Sequence, residues 1–130
     1  MSQNNRAAIE RAIEAFKNGD LATALREFDP EVVVRVPESL PYGGEYRGHN
    51  GVQQFVAKLM DAWETFQIPT EQILADGDTV FLRELLQARA RISGIEVDVP
   101  LILAYKLVAE KITSLEIFYW DVVPVLKALG

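Results

Sequence analysis

Hydrophobic residues recur every three or four positions in the first half of the chain, which is the spacing of amphipathic helices. The pattern predicts one helix over 5–16, a short second helix through 24–28, and a third whose apolar stripe runs from its N-cap Asn50 to Trp63. Asp20 lies between the first two helices and can accept hydrogen bonds from the first free amides of the second. Three helices are therefore predicted before residue 64.

Runs rich in β-branched residues predict strands at 31–36, 72–75, 79–92, 95–107 and 111–120. A last short helix is expected to follow the final strand, with Asp121 as its N-cap. Helices gathered near the start and strands near the end favour an α+β domain. We expect a cone in which a strongly curved antiparallel sheet wraps around the three N-terminal helices, with the short helix at the C-terminus.

Length and charge narrow the possible functions. The chain has 130 residues, of which 49% are hydrophobic, so a single domain over 1–130 is expected. Lys and Arg total 13 against 19 for Asp and Glu, and the net charge of −6 disfavours nucleic acid and anionic membrane as partners.

Composition also bears on metals and location. The chain has no cysteine and one histidine, which excludes disulfides, thiolate metal sites and histidine-rich metal centres, and no cofactor or metal is expected. The first residues lack the apolar segment of a signal peptide, and no apolar run reaches the roughly 20 residues that cross a bilayer. We therefore expect a cytoplasmic protein.

Three motifs resemble a known family. They are Asn18-Gly19-Asp20, the loop from Pro41 to Gly48 with the sequence PYGGEYRG, and the final strand from Lys111-Ile112-Thr113 to Phe118-Tyr119-Trp120-Asp121. Through them the chain resembles the nuclear-transport-factor-2-like superfamily, within it the SnoaL-like branch related to ketosteroid isomerases and polyketide cyclases. The resemblance implies an apolar cavity between sheet and helices, a small, mostly apolar ligand, and a homodimer.

The acidic groups of the related isomerases are missing at the matching positions. The resemblance implies a base before the proline that closes the first strand, a tyrosine on the first helix and a protonated acid on a later strand. Here those places hold Val36, Ala12, and Leu103 or its neighbour Ile102, all of which are apolar. Steroid isomerisation by the family mechanism is therefore not expected.

Four other polar residues are candidate acid–base groups. Glu38 could act as a displaced base, although an exposed loop glutamate is the favoured interpretation. His49 is the one histidine of the chain, a residue type suited to proton transfer near neutral pH. Asp121 matches an aspartate that some family members use in catalysis, although capping explains it equally well. Strand alternation places Glu84 on an apolar face, where it is either a pocket acid or left in solvent by a β-bulge.

Aromatic and long aliphatic residues are the candidate walls of the cavity. Tyr42 and Tyr46 are expected beside its mouth, and the other predicted wall residues are Val36, Phe55, Leu59, Trp63, Leu101, Leu103, Tyr105, Phe118 and Trp120.

The sequence leaves several functions open. The leading hypothesis is a cavity that binds a small, mostly apolar molecule and acts on it as an isomerase, cyclase or hydratase. The alternative is a non-catalytic binding or dimerisation module that pairs through the outer strand face of Arg83, Gln87, Arg89 and Arg91. An epoxide hydrolase of limonene type would need an aspartate–arginine–aspartate set, for which Asp98 and Asp121 are poorly spaced.

Overall fold

Four helices form within residues 2–130, the part of the chain that the computed structural model describes. They are α1 (Ser2–Lys17), α2 (Leu21–Leu25), α3 (Gly48–Ala62) and α4 (Val123–Leu129). Gly19 takes a φ of 73° after α1, and Asp20 Oδ1 accepts a hydrogen bond of 3.1 Å from the Thr23 amide, so the predicted cap of the second helix is confirmed.

Seven strands within the same residues form one sheet. Its order is β2-β1-β7-β6-β5-β3, and β4 also pairs with β5. The strands are β1 (Phe28–Val36), β2 (Gly44–Arg47), β3 (Trp63–Gln67), β4 (Thr70–Asp76), β5 (Thr79–Ala90), β6 (Glu96–Val108) and β7 (Lys111–Tyr119). The sheet curls into a half-barrel around the helices, which confirms the predicted α+β class and is consistent with the expected cone.

The expectation of a purely antiparallel sheet is wrong at one pair of strands. β1 and β7 run parallel, with Val34 opposite Leu115, whereas the other pairings are antiparallel. Parallel neighbours need a long connection, and these two strands are separated by most of the chain. The sheet is therefore mixed, and its last strand lies in its interior.

The sequence analysis missed two short strands: β2 lies in the glycine-punctuated loop after β1, and β3 begins where the apolar stripe of α3 ends. β2 pairs with β1, and β3 pairs with β5, where Trp63 lies opposite Ala90. The predicted third helix consequently ends at Ala62, before Trp63. It also begins at Gly48, two residues ahead of the expected cap Asn50, because Gly48 takes a φ of 70° that turns the chain out of β2.

The short last helix differs by one residue from its prediction. Its N-cap position is Val122, not Asp121. Asp121 Oδ1 nevertheless accepts a hydrogen bond of 3.0 Å from the Val123 amide, so the carboxylate satisfies a free donor at the start of α4. Pro124 lies in the first turn, where its missing N–H costs nothing.

Alternation along β5 determines what faces the interior. Its even-numbered residues from Val80 to Ala90 are buried, as the sequence predicts, and the core continues through α1, α3, β6 and β7. α4 closes the end of the sheet with Val125 and Ala128, both fully buried. Within residues 2–130 no helix combines the length and the apolar character needed to cross a membrane.

Candidate ligand-binding cavity

A cavity of about 900 Å³ lies between the concave face of the sheet and helices α1, α2 and α3. This volume is in the range of small-molecule sites, roughly 300–1,000 Å³. Most of its lining is apolar, with α1 contributing Ala12, Ile13 and Phe16 and the opposite wall formed by β5, β6 and β7. The curvature of the sheet therefore leaves a hollow that the helices cover without filling.

Predicted wall residues on α3, β3 and β6 do line this cavity. They are Phe55, Leu59, Trp63, Leu101, Leu103 and Tyr105. Ala12 and Leu103, which occupy two of the isomerase positions, also lie on the wall, so apolar surface replaces the polar groups there.

The tyrosines expected at the mouth lie elsewhere. Tyr42 and Tyr46 are buried behind the cavity wall, where the Tyr46 hydroxyl donates to the Tyr42 carbonyl oxygen at 2.7 Å and both rings pack near Phe55. Val36 is buried in the same layer and does not reach the cavity. The expected place of Tyr42 and Tyr46 beside the mouth is therefore wrong, because packing and hydrogen bonds hold both rings in the buried layer.

Phe118 and Trp120 are also not wall residues. Their exposed fractions are 52% and 83%, because side chains of β7 alternate and the inner positions belong to Ile117 and Tyr119. The sequence analysis missed Tyr119. The one local signal is the alternation of Leu115, Glu116 and Ile117, which the uniformly aromatic run after it no longer marks.

Glu84 is the predicted acid that the structure places in the cavity. Its side chain lies on the inner face of β5 and is only 4% exposed, so the alternative of a solvent-exposed Glu84 is wrong. Thr70 Oγ1 donates a hydrogen bond of 2.9 Å to Glu84 Oε2. Among the described residues Oε1 has no hydrogen-bond partner, and it is not enclosed by protein atoms, so it faces the cavity.

Burial raises the pKa of Glu84 to about 7. The hydrogen bond from Thr70 and the positive charge of Lys17 oppose this shift and are smaller. The carboxyl group can therefore exist in either protonation state near neutral pH.

The remaining candidate acid–base residues lie outside the cavity. Glu38 is exposed in the loop after β1, and His49 Nε2 donates a hydrogen bond of 2.8 Å to the Phe28 carbonyl oxygen. Asp121 is exposed and holds the start of α4. Asp98 is exposed as well, so the aspartate–arginine–aspartate set of an epoxide hydrolase does not assemble around the cavity.

Two tyrosines add hydroxyl groups to the wall. Burial raises the pKa of Tyr105, and the nearby charge of Glu84 raises it further. Burial also raises the pKa of Tyr119, whose hydroxyl shares a hydrogen bond of 2.8 Å with that of Tyr42. Both phenols stay neutral at physiological pH and can serve as hydrogen-bond donors.

Metal ligands are sparse. Within residues 2–130 no three His, Cys, Asp or Glu side chains lie close enough together to hold a metal ion.

A curled sheet over three helices with an apolar hollow between them defines an NTF2-like fold, and solved structures share it. An NTF2-like protein from Burkholderia xenovorans LB400 superposes with a TM-score of 0.89 at 20% identity, covering 100% of this chain and 98% of that one. TerC co-crystallized with polyporic acid superposes with a TM-score of 0.88 at 20% identity, covering 97% of this chain and 98% of that one. A protein with a ketosteroid isomerase-like fold from Catenulispora acidiphila DSM 44928, in complex with trimethylamine, superposes with a TM-score of 0.79 at 15% identity. The match covers 95% of this chain and 92% of that one. At these identities the likeness shows the fold alone.

The family follows from a separate comparison. The model of the SnoaL-like domain matches residues 9–115, and the chain therefore belongs to the SnoaL-like family. No curated protein is similar enough to the chain to count as a match.

Proposed function

We propose that this chain binds a small, mostly apolar molecule in its cavity and that Glu84 exchanges protons with that molecule. The observation that carries the proposal is the free Oε1 of Glu84 in a mostly apolar hollow. An acid–base group works best when its pKa is near the working pH, and Glu84, with a pKa raised to about 7 by burial, meets this condition.

The lining supports a ligand with an apolar body and few polar atoms. Aromatic rings from α1, α3, β3 and β6 offer flat apolar surface, and the Tyr105 hydroxyl can donate to a ligand oxygen. Two structures with the same fold are described with small molecules, polyporic acid and trimethylamine.

Isomerase, cyclase and hydratase reactions share the step that Glu84 would perform. An ionised carboxylate takes a proton from carbon or oxygen, and the resulting carboxylic acid returns it at another atom. Because Val36, Ala12 and Leu103 carry no acid–base group, this chemistry would be centred on β5 and not on the positions that the related isomerases use.

Binding is tested with a pair of tryptophan variants on one strand. Leu103 faces the cavity and Val108 faces solvent, so Leu103→Trp fills the hollow whereas Val108→Trp adds the same ring outside. The ligands are 2-naphthol and 2-acetylnaphthalene, titrated by NMR. We expect both to bind the natural chain and Val108→Trp alike and to bind Leu103→Trp at least about tenfold more weakly. Equal binding to the two variants, or no binding to the natural chain, contradicts the proposal.

Proton transfer is tested separately from substrate identity. The measurement is the exchange of the α-hydrogens of 2-tetralone in deuterated water, followed by NMR. We expect the natural chain to accelerate exchange and Glu84→Gln to lose the acceleration, with Glu38→Gln as a matched control at an exposed carboxylate. Binding without Glu84-dependent exchange would instead support the non-catalytic binding module.

A specific observation also favours a homodimer. Phe81, Ile102 and Phe118 are large apolar side chains exposed on the outer sheet face, and Ile102 lies opposite Phe118 on the neighbouring strand. The arginines of the predicted surface are already engaged, since Arg83 pairs with Glu71 and Arg89 with Glu64.

Light scattering tests the dimer. We expect a dimer that Phe118→Asp dissociates, whereas Ile92→Asp, at an exposed apolar residue in the β5–β6 turn, leaves it intact. Arg89→Glu should weaken it less than Phe118→Asp does. A monomeric natural chain contradicts this second candidate.

Cytoplasmic residence stays a prediction.

A further inference from the structure

Aromatic side chains line much of the cavity that holds the buried carboxylate. Those that line the cavity are Phe16, Phe28, Phe55, Trp63, Phe66, Tyr105 and Tyr119. Within residues 2–130 Lys17 is the one basic side chain on the lining, and it lies exposed at the end of α1. The cavity thus pairs a ring-rich surface with a negative group that lacks a buried counter-ion.

We infer that the ligand of this cavity is a lipophilic amine, whose ammonium group pairs with Glu84 and whose apolar body packs against the surrounding rings. This inference rests on the proposed function, because it names the chemical class that the same cavity would bind.

The position of the carboxylate is the first support. Oε2 is held by the Thr70 hydroxyl, which orients the group, while Oε1 is left for a donor from the cavity. A buried carboxylate without a cation is costly, and a ligand that carries a positive charge into the hollow removes that cost. Burial raises the pKa of Glu84 to about 7, and the smaller opposing effects of the Thr70 hydrogen bond and the Lys17 charge do not cancel this shift.

The arrangement of the rings is the second support. Phe66 lies opposite Ala88 and Tyr105 lies opposite Val80, so aromatic side chains reach the wall toward both ends of β5 with Glu84 between them. Phe16 packs edge-on against Phe66, with ring centroids 6.5 Å apart. Aromatic faces attract organic cations, most strongly where water is excluded.

The other charged and titratable groups on the lining leave this role to Glu84. From α1, Lys17 lowers the pKa of Glu84 less than the Thr70 hydrogen bond does, and the structure shows no ion pair between the two within residues 2–130. From β3, Glu64 is paired with Arg89 at 3.3 Å. The groups from β6 and β7 are the neutral phenols Tyr105 and Tyr119, and α3 contributes apolar side chains: Val52, Phe55, Val56, Leu59 and Met60.

The charge of the ligand and the protonation of Glu84 are linked. Below its pKa the carboxyl is neutral and must lose a proton before it can pair with a cation. The affinity for a permanently charged amine should therefore fall about tenfold for each pH unit below about 7 and level off above it.

A matched pair of ligands separates charge from shape. Benzyltrimethylammonium is a permanent cation, and neopentylbenzene has the same shape without the charge. Both ligands are titrated by NMR at pH 5, 6, 7 and 8. At pH 8 the cation should bind at least about tenfold more tightly than neopentylbenzene, and its affinity should fall at lower pH as stated above. Binding of neopentylbenzene should not change with pH.

Variants assign the effect to the carboxylate. Glu84→Gln should abolish the preference for the cation and keep the affinity for neopentylbenzene. Leu103→Trp should lower the affinity for both ligands. Lys17→Met, at an exposed position at the end of α1, should strengthen cation binding a fewfold. Thermal unfolding of each variant confirms that it folds.

The possible results distinguish the two proposals. If neopentylbenzene binds the natural chain as tightly as the cation, or if Glu84→Gln keeps the preference, the amine inference is overturned while the proposed cavity function stands. If neither ligand binds, the proposed function fails with it.

Discussion

Thr70 and Glu84 meet across the β4–β5 pair through a hydrogen bond of 2.9 Å between Thr70 Oγ1 and Glu84 Oε2. The pairing register shifts between Thr70 and Gln72, which places the threonine hydroxyl at the inner face beside the carboxyl group. This contact orients the acid in the cavity and limits the rise of its pKa.

Glu84 should make the free energy of unfolding fall as the pH rises. Its pKa is raised from 4.5 to about 7, so the folded chain binds the proton more tightly than the unfolded chain does. The stabilisation by the protonated group is complete below about pH 4.5 and is lost as pH rises through about 7, a total of about 3 kcal/mol. We expect Glu84→Gln to remove this slope in urea unfolding between pH 5 and 8. Glu38→Gln should keep it, and equal slopes in Glu84→Gln and the natural chain would contradict the assignment.

Thr70→Val should raise the pKa of Glu84 above about 7, because the lost hydrogen bond favours the ionised form. Carbon-13 NMR of the Glu84 carboxyl follows this titration directly. Thr113→Val serves as the control, since its hydroxyl donates to the Lys106 carbonyl oxygen and not to Glu84. An unchanged Glu84 titration in Thr70→Val would show that the hydroxyl does not hold the carboxylate.

The hydroxyl pair of Tyr42 and Tyr119 should behave as a coupled unit. Either single change to phenylalanine leaves one phenol without this partner, and we expect a loss of about 1–3 kcal/mol in the free energy of unfolding. The double variant should lose less than the sum of the two, because no stranded hydroxyl remains. Chemical denaturation of the four chains measures the coupling. Strictly additive losses would mean that the hydrogen bond contributes nothing.

Gly43→Ala should destabilise the loop between β1 and β2. A Cβ at this position would lie 2.0 Å from the Pro37 carbonyl oxygen, a backbone atom that itself accepts a hydrogen bond from the Leu40 amide. We expect a loss of at least about 3 kcal/mol, at the upper end of overpacking effects. Ser39→Ala, exposed in the same loop, should change stability by less than about 0.5 kcal/mol. If Gly43→Ala unfolded at the same temperature as the natural chain, the close approach of Gly43 to Pro37 would be contradicted.

Regular alternation made the interior of β5 predictable. The even-numbered residues of that strand are apolar except at Glu84, so one polar residue stood out on a face that had to be buried. Helical spacing likewise predicted that Phe55 and Leu59 face inward. Where one face of an element is clearly apolar, the sequence alone located the wall of the cavity.

Positions that depend on the pairing of strands were not predictable in this way. The run from Phe118 to Trp120 is aromatic throughout, so its inner residue is set by the pairing of Tyr119 with Leu101 on β6. Trp63 continues the apolar stripe of α3 yet belongs to β3, because it pairs with Ala90. In both cases local composition allows two answers, and pairing with a neighbouring strand of the sheet chooses one.

The interior place of β7 has a consequence for how the molecule is made on a ribosome. The β1–β2 hairpin is synthesised early, but its neighbour in the sheet is the strand Lys111–Tyr119. Until that segment emerges, β1 lacks its second strand partner and its edge has unpaired backbone hydrogen-bonding groups. Completion of the sheet must wait until Tyr119 has been synthesised, which makes a nascent chain that stalls before this residue prone to aggregation.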